Sequence, residues 1–144
     1  MMFKRFAIAA GVCTACALSF VAGMHAQNAG GPERYVSPGG TQLSVLLDAS
    51  SLGSGDIDVG EITLPAGTNA ADHVHGSTEI FYVISGELEH VVNGKSTMLK
   101  PGMVGFVKPP DKVQHKTKVE TKAVVIWVPG GEAARVTKSW KKIE

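Results

Sequence analysis

Residues 72–86 read DHVHGSTEIFYVISG. His73 and His75 stand two apart, and on an extended backbone such residues point to the same side. Gly76 and Ser77 then permit a turn, after which Glu79, Phe81 and Val83 alternate with Ile80, Tyr82 and Ile84 in a β-branched and aromatic run closed by Gly86. The period of two puts Glu79 on the face lined by Phe81 and Val83, at the end nearest the histidines. A carboxylate on an apolar face is costly to bury unless something positive meets it. With two imidazoles beside it, a divalent cation is the simplest partner. His115, 36 residues after Glu79 and just past Pro109-Pro110-Asp111, is a fourth donor that a returning hairpin can bring alongside.

Outward from this stretch the chain is a series of short β-type runs separated by turn residues. The runs are 42–48, 56–64, 79–85, 87–92, 96–100, 103–108 and 122–128. Between them lie Ser54-Gly55, Pro65-Ala66-Gly67, Ser85-Gly86, Asn93-Gly94, Pro101-Gly102 and Pro109-Pro110-Asp111. Asn93-Gly94 is the strongest hairpin signal, because a type I′ turn needs positive φ at both central residues. Many short strands with few helices predict an all-β sandwich or barrel over 41–129. The tail, 130–144, places Ala133, Val136, Trp140 and Ile143 at helical spacing and reads as a short amphipathic helix or a frayed basic tail. Phe81, Val83, Phe106 and Trp127 read as core. Asp72 and Lys112 read as solvated charges.

Residues 1–26 stand apart. Lys4 and Arg5 precede an uncharged, Ala-rich apolar run that ends in small residues near Ala26, the pattern of a cleaved secretory signal. An uncleaved membrane anchor and a lipid attachment at Cys16 are the alternatives. Residues 27–40, rich in Gly, Asn, Ser and Pro, read as a flexible linker. Both cysteines, Cys13 and Cys16, fall inside the leader, which leaves no thiol in the exported domain for a disulfide or for catalysis. The chain is 144 residues long, 44% hydrophobic and 19% charged, enough for one globular domain. Setting Lys4 and Arg5 aside from its 14 basic residues leaves 12 against 13 acidic ones, a net charge of −1. Nucleic acid is a poor partner for so balanced a surface, and a membrane is met only through the leader; a small-molecule ligand fits better.

The histidine stretch resembles the cupins, small β-barrel proteins with two linked motifs. Gly67, His73, His75, Glu79 and Gly86 match the first motif at every spacing. The second is looser: six residues rather than five separate Gly102 from Pro109, and Asp111-Lys112 stands where the family usually has a single glycine before the histidine, here His115. A longer turn without glycine changes how the residue after it is presented.

The resemblance implies a double-stranded β-helix, or jelly-roll barrel, with one divalent metal held by His73, His75, Glu79 and His115. By donor type Fe, Mn, Ni, Zn and Cu are equally acceptable. Alternation makes Phe81, Val83 and His90 the pocket lining; the resemblance implies pairing of barrels into a homodimer, with Trp140 laid on the barrel or on a second subunit. His90, in the alternation Leu88-His90-Val92, is a candidate proton carrier or a buried histidine satisfied by a backbone carbonyl. Three functions follow as expectations: an exported metal-dependent dioxygenase or isomerase, a non-catalytic small-ligand binder with a structural metal, and a metal-free barrel.

Overall fold

The computed structural model describes residues 31–144. The leader, its two cysteines and the first residues of the connector lie outside them. Among the described residues there are ten strands: β1 (Glu33–Val36), β2 (Gln42–Leu47), β3 (Asp58–Leu64), β4 (Thr78–Ser85), β5 (Leu88–Val92), β6 (Lys95–Leu99), β7 (Val104–Val107), β8 (Val113–Lys116), β9 (Thr121–Val128) and β10 (Lys141–Ile143). Two short helices, α1 (Ala49–Leu52) and α2 (Glu132–Thr137), complete the set. One sheet has seven strands in the order β10-β1-β2-β3-β9-β4-β7, the other three in the order β6-β5-β8, and all named pairings are antiparallel.

The core forms where the period of two turns apolar residues inward. Leu43 and Val45 of β2, Phe81 and Val83 of β4, Leu88 of β5, Leu99 of β6 and Ala123, Val125 and Trp127 of β9 make one buried cluster contributed by both sheets. This is the all-β architecture expected. Phe106 departs from expectation: it is 58% exposed, with Lys108 Nζ 5.8 Å from its ring centroid. Alternation along β7 turns Gly105 and Val107 inward instead. Gly105 lies so close to Leu99 of the opposite sheet that an added Cβ would stand 2.4 Å from its Cδ1.

The expected linker and tail are both more ordered than their composition suggests. Within 27–40, residues 33–36 form β1, which pairs with β2 and with β10. The Ser, Pro and Gly residues after it serve a tight turn, in which Ser37 N–H donates to the Thr41 carbonyl at 2.8 Å. In the tail the helix ends at Thr137, and Ile143 belongs to β10 opposite Arg34. Trp140, expected on the barrel or on a second subunit, packs with Val136 against this chain's own core.

Two glycines differ instructively. Gly86 joins β4 to β5 at φ +77°, and an added Cβ would stand 2.4 Å from the Glu120 carbonyl and 2.5 Å from Thr121 Oγ1. That hydroxyl is engaged, accepting from Glu87 N–H at 3.1 Å. Gly94, at φ +80° in the β5–β6 hairpin beside Asn93 at φ 49°, has nothing within 4 Å of its would-be Cβ. Gly86→Ala is therefore expected to cost roughly 3 kcal/mol, strain and collision together, and Gly94→Ala about 1 kcal/mol from strain alone. Urea unfolding of the two variants against the parent measures the difference.

Candidate metal centre

Three routes bring the donors together. The segment before β4 runs alongside β8: Gly67 N–H donates to the Thr117 carbonyl at 2.9 Å, and Ala70 N–H to that of His115 at 3.0 Å. His73 and Val113 exchange both backbone bonds, at 3.0 and 2.8 Å. This pairing sets His73 beside His115, with ring centroids 5.5 Å apart. Glu79 arrives on β4, where alternation faces it inward with Phe81 and Val83. His115 arrives on β8, opposite His90 of β5.

The irregular turn before β8 is held by the hairpin residue Asn93. Its side-chain amide donates to Asp111 at 2.7 Å, its oxygen accepts from Lys112 N–H at 3.0 Å, and its own N–H donates to the Lys112 carbonyl at 2.9 Å. Asn93 thus pins the turn that lacks the family's glycine, and His115 points inward, 6% exposed.

At the centre Glu79 is 2% exposed. Its Oε1 accepts from Trp127 Nε1 at 3.0 Å. Its Oε2 lies 3.0 Å from His75 Nε2 and 3.5 Å from His115 Nε2. Close as they are, these three atoms are not aligned for hydrogen bonding, and each is a buried polar atom without a hydrogen-bond partner. Buried lone pairs facing one another cost free energy in a protein interior. A shared cation relieves that cost, so the donor set fits a divalent metal.

The outer nitrogens are arranged to suit. His73 Nδ1 lies 2.9 Å from the Ala71 carbonyl and His75 Nδ1 lies 2.8 Å from Glu132 Oε1. Both acceptors draw a proton to Nδ1, which leaves the Nε2 lone pair for a ligand role. His73 and His75 meet edge to face at 4.8 Å between centroids. Among the described residues, however, no three His, Cys, Asp or Glu side chains stand in finished ligating geometry. The cluster assembles the donors without closing them around a point.

Charge follows burial. Burial pushes His115 down to about 4 against the pull of Glu79, so the ring is neutral near pH 7 and keeps its lone pair. Burial also lowers His75, but the Glu79 carboxylate and then Glu132 outweigh it and leave this imidazole raised. Burial raises Glu79, and His75, His115 and Trp127 together overcome that and hold it lowered.

His90 is the expected buried histidine met by a backbone carbonyl. It is buried, its Nε2 lies 3.2 Å from the Phe106 carbonyl, and its Nδ1 has no partner. Its ring stacks on His115 at 5.3 Å between centroids and 20° between planes. Burial keeps it lowered and neutral. Phe81, 4.8 Å from the His115 ring by centroids, and Val83 are both in the core.

The motif reading did not reach Glu132 or Arg135, which lie beyond 67–115. Nor did it show why α2 stands where it does. Asp58 Oδ2, 1% exposed in its residue, accepts from Gly131 N–H and Ala133 N–H at 2.8 Å each. A buried strand carboxylate thereby supplies the cap that Gly131 cannot.

The family model described as a cupin domain matches residues 60–129. Among solved structures, an RmlC-like cupin from Shewanella frigidimarina is similar, with a TM-score of 0.64 and 20% identity over 76% of this chain and 94% of the other. The predicted oxalate decarboxylase of Thermotoga maritima gives 0.59 and 23% over 69% and 92%. KdgF from a Halomonas species gives 0.61 and 18% over 74% and 93%. No curated protein matches the sequence. Residues 60–129 thus match the cupin-domain model, and the described chain has the cupin fold.

Asp58→Ala strips the acceptor from the Gly131 N–H and from the buried Ala133 N–H. It is expected to lower the free energy of unfolding by about 3 kcal/mol in denaturant titration. Limited proteolysis should then show earlier cleavage within 130–144.

Proposed function

We propose that His73, His75, Glu79 and His115 bind one divalent cation and that the domain presents it to a small oxygen-bearing molecule. The observation that carries this reading is the trio of buried, unpartnered atoms, His75 Nε2, Glu79 Oε2 and His115 Nε2, gathered around one carboxylate. Bound there, a divalent metal supplies Lewis acidity toward a carbonyl, carboxylate or enediol oxygen. The likeness to a predicted oxalate decarboxylase agrees with oxygen-rich small substrates, at the level of fold. Within the protein, Glu79 supplies the anionic donor, Trp127 fixes the orientation of its carboxylate, and the cluster's walls exclude bulk water through Phe81 and Val83. His90 is neutral and holds an unpartnered Nδ1 lone pair beside His115, which makes it the candidate proton acceptor. The leader pattern of residues 1–26 supports a role outside the cytoplasm.

A second reading, a non-catalytic binder with a structural metal, is favoured by the same connectivity. The donors come from the segment before β4, from β4 and from β8, so one ion would tie three parts of the barrel together.

Elemental analysis of the purified protein is expected to find about one divalent ion per chain. His73→Ala and His115→Ala should lose it, and chelation should lower Tm by at least ~5 °C. A parent protein that takes up no ion overturns the metal reading.

Turnover assays across small sugars, hydroxy acids, keto acids and phenols then separate enzyme from binder. His90→Asn is expected to keep the metal while kcat falls on the order of 100-fold. Full metal occupancy with no turnover in any class selects the structural role.

A further inference from the structure

Glu132 is 3% exposed, carries a charge and lies 57 residues after His75 in the chain. Burying a carboxylate is unfavourable unless it is fully engaged, and this one is. Its Oε1 accepts from His75 Nδ1 at 2.8 Å and from the Arg135 guanidinium, and its Oε2 accepts from Gly76 N–H at 3.3 Å. Arg135 Nη2 in turn donates to the Val74 carbonyl at 3.4 Å. Helix α2 therefore holds the imidazole of His75 and the backbone polar groups on either side of it. The fit is tight: a Cβ on Gly76 would stand 3.3 Å from Glu132 Oε2. His73, by comparison, is oriented by Ala71, two residues away in its own loop.

A carboxylate can only accept, so it holds the proton on Nδ1 and turns the Nε2 lone pair of His75 toward Glu79. Neither Glu132 nor Arg135 lies in the motifs or in the matched stretch 60–129. We propose that Glu132, steadied by Arg135, is the positioning residue for His75 as a metal ligand, and that the C-terminal segment is thereby part of the metal centre. This inference rests on the metal reading above. Outer-sphere partners of ligating histidines change metal affinity by about 10- to 100-fold, through ring orientation and donor basicity.

The test uses Co(II), whose visible absorption reports the ligand field, with Kd measured by competition against a chromophoric chelator at fixed pH. Glu132→Ala is expected to weaken Co(II) binding about 10- to 100-fold and to shift the absorption bands. Glu132→Gln, whose amide oxygen still accepts from Nδ1, should recover part of the affinity and most of the band position. Melting of both variants in chelator, with circular dichroism at the assay temperature, identifies any loss of fold. If Glu132→Ala fails to fold, Glu132→Gln and Arg135→Ala carry the test, each expected to weaken binding by several-fold. Parent-like Kd and spectrum in the folded variants, even with a lowered melting temperature, overturn the positioning role and leave the metal reading standing. A parent protein that binds no Co(II) overturns both.

Discussion

A charged carboxylate carried into the space between two sheets is the constraint to which the rest of this barrel answers. Glu79 sits on the inward face of β4 among Phe81, Val83 and Trp127, where an unmatched anion would cost several kcal/mol. The indole N–H satisfies one oxygen, and the imidazoles of His75 and His115 face the other. Each of these side chains needs a support of its own, and those supports account for much of what is irregular in the fold. The segment before β4 is drawn along β8, Asn93 reaches across to the 109–112 turn, and α2 leans its first turn on His75.

That arrangement separates two kinds of polar contact. Some meet their partners directly: Asp58 with its two N–H donors, Thr121 with Glu87, Asn93 with Asp111 and Lys112. These stabilise and specify the backbone. Others stop one partner short, at Nε2 of His75 and His115, Oε2 of Glu79 and Nδ1 of His90. Interiors are otherwise close to fully satisfied, so three open atoms at one carboxylate, with a fourth on the His90 ring stacked on His115, single out this part of the core.

Much of this was legible in the sequence because it obeys short periods. Alternation placed Glu79, Phe81 and Val83 on one face, Asn93-Gly94 announced its hairpin, and the spacing of the first motif put both histidines and the glutamate within a single turn of chain. What escaped notice depends on contacts between distant residues. β1 was hidden by the Pro and Gly of the turn that follows it, and β10 because Ile143 continues the helical spacing of Ala133, Val136 and Trp140. Phe106 reads as core by hydrophobicity alone, but its neighbours Gly105 and Val107 hold the inward parity. Glu132 is an ordinary acidic residue at the start of a short helix until His75 is seen beside it, and no local pattern links the two.

The pairing of β1 with β10 has an architectural corollary. Arg34 lies opposite Ile143 and Val36 opposite Lys141, so the first and last strands of the folded unit are hydrogen-bonded neighbours at one sheet margin. The cooperative unit accordingly runs from the first strand to the last, some way past each boundary of the matched stretch 60–129. A circularly permuted chain would need only a brief peptide bridge between these strands, with its new ends opened at the solvent-facing bend of Pro101-Gly102, between the strands that carry His90 and His115.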